Sequence, residues 1–136
     1  MNYRKAAWTA VLITGLAVVT SGSFGARPAE VAQAATAGKT ATIEGYVVDS
    51  ACAFVRNVQK PRGEDCALKC ARAGSPLVIL ANDGTLYWPI SSAMPAVGEN
   101  PRMMKYAGQR VSATGAVYQR SGAHAIVIEK IVVIGK

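Results

Sequence analysis

From Thr40 onward the chain alternates apolar and polar positions in short bursts separated by turn-forming residues. Thr40 to Asp49 (TATIEGYVVD) sets Ile43, Gly45 and Val47 against Thr42, Glu44 and Tyr46, the period of two of a half-buried strand. Gly45 in its middle predicts a bend or bulge, which lets one strand serve both sides of a small barrel. Leu77 to Ala81 is a continuous apolar run after Pro76, and Asn82-Asp83-Gly84 is a tight-turn signal leading into a strand from Thr85 to Ile90. Gln109 to Tyr118 puts Val111, Ala113, Gly115 and Val117 on one face. Arg120-Ser121-Gly122 then turns the chain into a last strand, Ala125 to Ile134.

Two helical pieces interrupt this pattern. Asp65 is positioned to cap a short helix from Cys66 to Arg72, stopped by Gly74 and Pro76. A second piece, Pro101 to Tyr106, begins with Pro at the first helical position and ends before Gly108. The expected fold class is therefore mostly β: a small five-stranded OB-like barrel, a partly open Greek key, with two short helices. The barrel domain is assigned to residues 40–136.

The start of the chain reads differently. Arg4 and Lys5 precede an apolar run from Ala6 to Val19, followed by the small polar stretch Thr20-Ser21-Gly22-Ser23, the order of a secretory signal. Fourteen helical residues reach about 21 Å, short of the roughly 30 Å hydrocarbon core, so a cleaved signal is favoured over a permanent membrane anchor. Residues 1–25 are assigned as the signal peptide, with cleavage between 23 and 34, and 26–39 as a flexible Ala-rich spacer. The localisation that follows is export to a periplasmic or extracellular space.

Charge changes the picture only slightly. The 136 residues carry a net charge of +7, with 51% hydrophobic and 17% charged residues, which argues against intrinsic disorder. From Gly38 onward there remain 12 basic and 7 acidic residues, a net +5. A basic intracellular domain would suggest nucleic acid, but export removes that partner. A solvated basic surface, in weak contact with an anionic membrane or cell-wall polymer, is the expectation instead.

Four stretches carry a resemblance: GYVVDSAC at 45–52, GEDCALKCARAGSP at 63–76, DGTLYWPI at 83–90 and YAGQRVSATGAVYQRSGAHAIVIEKI at 106–131. Together they resemble small exported bacterial proteins of OB-like fold with a three-cysteine pattern. The resemblance implies an architecture and no activity, since an OB barrel hosts many unrelated functions.

The chemistry is concentrated in Cys52, Cys66 and Cys70. Cys66 and Cys70 are four apart and project from one helix face. Cys52 closing onto either is the easier bridge, and a loop of about 15 residues closed this way contributes roughly 3 kcal/mol on the chain-entropy model. Export makes that bond chemically expected. The odd cysteine leaves two further readings. One is a thiolate site for Zn or Cu made of Cys52, Cys66 and Cys70, with His124 or a water as fourth ligand. The other is thiol–disulfide exchange, with the bridge moving between Cys66 and Cys70. There is no C-x-x-C and no C-x-x-C-H, so thioredoxin-type and covalent haem motifs are absent.

Other constellations are weak. No G-x-S-x-G frames a serine, and Asp49 reads as a strand-end residue bonding the loop backbone. Tyr46, Tyr87 and Trp88 are the candidate ligand surface. Met103-Met104 hints at soft-metal chemistry, but core packing explains at least one of the pair better. The leading expectation is a non-enzymatic exported binding or accessory module of the bacterial cell envelope, stapled by a disulfide from Cys52, with no catalytic residue and no cofactor. Its partner would be an envelope protein or a small ligand. The alternatives are the Zn or Cu thiolate protein and the thiol–disulfide redox protein.

Overall fold

A computed structural model describes residues 38–135; the expected signal peptide (1–25) and nearly all of the spacer (26–39) lie outside them. Five strands form: β1 (Lys39–Asp49), β2 (Leu77–Ala81), β3 (Leu86–Pro89), β4 (Arg110–Arg120) and β5 (Ala123–Val133). Their order is β1-β2-β3-β5-β4, closed so that β4 returns to β1. All pairings are antiparallel except β3 with β5, which run parallel from Tyr87↔His124 to Pro89↔Ile126. The mostly β, five-stranded barrel is as expected. Pairing closes it completely where a partly open one was anticipated.

Closure depends on β1 serving two neighbours. Its first part pairs with β4 from Lys39↔Val117 to Tyr46↔Arg110, and its last part with β2 from Gly45↔Ala81 to Asp49↔Leu77. The overlap falls at Gly45 and Tyr46. A Cβ at Gly45 would collide with the Leu80 carbonyl, so only glycine lets the backbones pass this closely. The β4–β5 hairpin has a second irregularity at Thr114/Gly115, where the register shifts. It turns through Ser121 and Gly122, both at positive φ, as a tight hairpin turn requires. The β2–β3 turn is the expected one, with Asp83 Oδ1 accepting from the Thr85 N–H at 2.9 Å.

Strand alternation sorts the side chains. Val47, Ile79, Val111, Ala113, Ile126 and Ile128 point into the barrel and are joined by Met103. A second, smaller cluster of Val48, Ala53, Val78 and Leu80 packs outside it with Tyr46, Leu86 and Trp88. Val47 and Val48, consecutive on β1, enter different clusters because successive side chains face opposite ways.

The helices depart most from expectation. Three are present: α1 (Ser50–Val55), α2 (Glu64–Arg72) and α3 (Asn100–Met103), the last continuing as a 3-10 turn over Met104–Tyr106. The unexpected α1 follows β1 without a loop, because Asp49 ends the strand and caps the helix at once. Asp65 is not a cap. Gly63 occupies that position, with Glu64 and Asp65 in the first turn, where acidic groups meet the positive end of the helix dipole. The start of α2 rests on Gly108, whose φ is +74°; a Cβ there would come within 2.7 Å of Glu64 Cα. At the other end of α2, Asn100 Oδ1 accepts from the Leu77 N–H at 2.9 Å, and its Nδ2 donates to the Ser75 carbonyl at 2.8 Å. These two anchors set α2 beside the end of β1.

Candidate thiol and metal site

The site is built where β1 becomes α1. Asp49 is buried, with 2% of its surface exposed. Its Oδ1 accepts from the Cys52 backbone N–H at 2.8 Å, which fixes both the first turn of α1 and the direction of Cys52. The Ser50 N–H donates to the Pro76 carbonyl at 2.9 Å, and the Ser50 and Ser75 hydroxyls lie 3.4 Å apart. The corner is thereby held against the chain leaving α2.

Helix α2 supplies the other two cysteines. Ala67 and Ala71 are its buried residues, and Cys66 and Cys70, four apart, are half-buried beside that face. Cys52 and Cys66 lie 4.4 Å apart. Cys52, Cys70 and a carboxylate oxygen of Asp49 all lie within 4.8 Å of one another. Cys52 is thus the hub between two thiols presented from successive turns. All three cysteines are free thiols, so the expected staple is not formed in this structure.

A cavity of about 20 Å³ opens beside Asp49, Cys52 and Cys66, with Pro61, Arg62 and Gly63 also in its lining. That is room for one water-sized guest. Asp49 Oδ2 is buried and has no hydrogen-bond partner among the described residues. A buried carboxylate oxygen left without a donor is costly.

The electrostatics match this arrangement. Burial by itself would raise the Asp49 pKa. The nearby Ser75 hydroxyl, the Cys52 N–H and the Cys52 and Cys70 thiols outweigh it, and the carboxyl is held below its usual value, as the anion. None of these side chains makes a hydrogen bond of good geometry to Oδ2. Cys52 is pushed up to about 11, first by burial, then by the Asp49 carboxylate and the neighbouring thiols. Cys70 is raised for the same reasons. Without a cation, the corner holds one carboxylate beside the protonated thiols of Cys52 and Cys70; a cation would reverse that preference for protons.

His124 is elsewhere. It lies on β5 with its ring 5.5 Å from that of Tyr87, and it borders a cleft of about 430 Å³ with Phe54 and Trp88. Asp49, and not His124, is the oxygen or nitrogen donor brought to the cysteines. Tyr46, Tyr87 and Trp88 border different clefts. Tyr46 and Trp88 pack on the outer cluster, whereas Tyr87, one residue before Trp88, turns to the barrel interior. Trp88 instead stacks with Phe54 of α1, ring centroids 6.4 Å apart. Of the two methionines, Met103 is fully buried core.

Sequence reasoning took Asp49 as a strand-end residue bonding the loop backbone, and it does so, but its second oxygen went unnoticed. The signal was D-x-x-C: a carboxylate capping the turn that carries a cysteine. No protein-family model, no curated protein and no solved structure matches the chain.

Proposed function

We propose that this protein is a non-enzymatic, exported binding module of OB type whose chemical centre is a thiolate site for zinc or copper, held by Cys52, Cys66 and Cys70. The observation that carries the reading is the approach of two unbonded thiols, Cys66 and Cys70 of α2, to the free thiol of Cys52 on α1. In a tetrahedral zinc–thiolate site the sulfurs sit about 3.8 Å apart, as follows from Zn–S bonds of about 2.3 Å. Cys52 lies within an ångström of that spacing from each of the other two, at 4.4 Å from Cys66 and within 4.8 Å of Cys70. The strand order and the placement of α3 between β3 and β4 support the OB type. Export rests on the signal-like order of charge, apolar run and small residues at the chain start. The net +5 from Gly38 onward suits weak contact with an anionic envelope surface.

A second reading is favoured by the 4.4 Å between Cys52 and Cys66. In an oxidising compartment this pair is placed to close as a structural disulfide, leaving Cys70 as the odd thiol. Metal analysis and thiol counting on protein purified without reductant separate the two. About one bound metal, with three thiols titrating after chelation, supports the thiolate site. One thiol and no metal supports the staple and overturns the site.

A further inference from the structure

We infer that Asp49 is the fourth ligand of this centre through Oδ2, which makes it a site for a divalent ion of zinc's class and not for copper(I). The inference rests on the thiolate-site reading above and adds the donor that decides which metal the site takes.

Three features of Asp49 point this way. Its two oxygens have different fates: Oδ1 is committed to the Cys52 N–H at 2.8 Å, while Oδ2 is buried with no partner among the described residues. That division is the habit of ligating carboxylates, which are themselves held by a hydrogen bond so that the free oxygen is aimed. Second, a carboxylate oxygen of Asp49 lies within 4.8 Å of both the Cys52 and Cys70 sulfurs, and Asp49 also shares a cavity wall with Cys52 and Cys66. Cys66, 4.4 Å from Cys52 but outside that close group, is the donor that must move in to complete a set of four. Third, that cavity of about 20 Å³, with Asp49, Cys52 and Cys66 in its wall, has room for an ion.

Donor chemistry then selects the metal. Copper(I) is soft and is satisfied by two or three thiolates, so a carboxylate adds little to it. Zinc is borderline, prefers four ligands in a tetrahedron and takes oxygen at about 2.0–2.2 Å alongside sulfur. A set of three sulfurs and one carboxylate oxygen suits zinc. Each thiol gives its proton to solvent as it ligates, and no electron is transferred. A single water in the cavity would also satisfy Oδ2, and that alternative makes Asp49 irrelevant to zinc affinity.

The test uses Asp49→Asn and Asp49→Ser, because Asn and Ser cap a helix as well as Asp does and so preserve α1. Zinc and copper(I) affinities of the purified wild-type and variant proteins are measured by competition with chromogenic chelators. Losing even an outer-shell partner costs about 10–100-fold in metal affinity. Loss of a direct ligand is therefore expected to weaken zinc by about 100-fold or more while copper(I) changes by less than about threefold. Cobalt(II) substituted for zinc should show the intense d–d bands of a tetrahedral site in the wild type and lose them in the variants. Zinc affinity unchanged in a folded variant overturns the inference and leaves the thiolate site standing. A wild type that binds neither metal overturns the thiolate site itself. Should both variants fail to fold, the ¹³C shift of the Asp49 carboxyl carbon in the wild type decides: it moves on adding zinc but not copper(I), and a resonance that ignores zinc overturns the inference.

Discussion

The barrel interior and the cysteine corner adjoin at Val47 to Asp49, yet they follow opposite rules. Inside, Val47, Ile79, Met103, Val111 and Ile126 are all at 0% exposure, with no polar atom to satisfy. Burial of apolar surface is sufficient to hold them there. Two residues along β1, Asp49 is nearly as buried, but it keeps a charge, an oxygen without a donor and the free thiols of Cys52 and Cys70 beside it. The interior is finished by folding; in the reading proposed above, the corner is finished by a ligand or by oxidation. One fold can carry both because the corner begins at the last residue pair of the β1–β2 ladder, Asp49↔Leu77, beyond which no strand pairing depends on it.

That contrast can be broken most forcefully from the interior. Ile79→Ala should cost about 2–5 kcal/mol in urea unfolding of the metal-free protein, since it empties a fully enclosed position. Cys70→Ser under the same conditions should cost less than about 1 kcal/mol, because the half-buried thiol supports no packing that serine cannot replace. Equal losses would mean that the corner is part of the structural core.

Next in size is the response to metal. Zinc at a hundredfold excess over its dissociation constant should add about 2.7 kcal/mol to stability. Thermal melts with and without chelator should give that increment in the wild type and in Ile79→Ala, and none in Cys52→Ser. An increment that disappears with Ile79→Ala would place the metal's effect in the barrel.

A smaller effect follows from proton binding in the metal-free state. The Cys52 thiol ionises at about 11 when folded against 9.0 for an unperturbed thiol. The unfolded chain therefore sheds this proton first, and the contribution, whole below pH 9.0, is lost as pH rises through about 11. Asp49 has the reverse sign: its folded pKa lies below 3.8, so its contribution is whole above that value and is lost as pH falls through the lower one. Urea midpoints across both ranges should fall at each end, and Asp49→Asn should remove the acid limb and move the alkaline one downward. The least effect is expected for Phe54→Ala. Its ring stacks on Trp88 but is 65% exposed, so stability should change by about 0.5–1 kcal/mol and the zinc increment not at all.

The strands were legible because their cause is local. Alternation along Ile43–Val47 and Val111–Val117, the Asn82-Asp83-Gly84 turn and the Ser121-Gly122 turn each specify themselves within a few residues. Strand β2 falls at Leu77–Ala81, as its apolar run requires. Helix α1 was missed because six residues carry too little periodicity to distinguish a helix from a loop, and its cap had been assigned to the strand end. Asp65 reads as a cap in the sequence because an acid before a helix and an acid in its first turn look alike there; in the fold Gly63 holds the cap position.

The sequence by itself determined the barrel's strands and the presence of three cysteines near its first crossover. Periodicity and composition act over neighbouring residues and need no partner to be read. Only the tertiary structure decided that Cys52 stands between Cys66 and Cys70, that His124 packs on Tyr87 away from them, and that the donor beside them is Asp49. Those relations depend on how α2 seats against Gly108 and Asn100. Contacts between segments distant in the chain leave no periodic trace in any one of them.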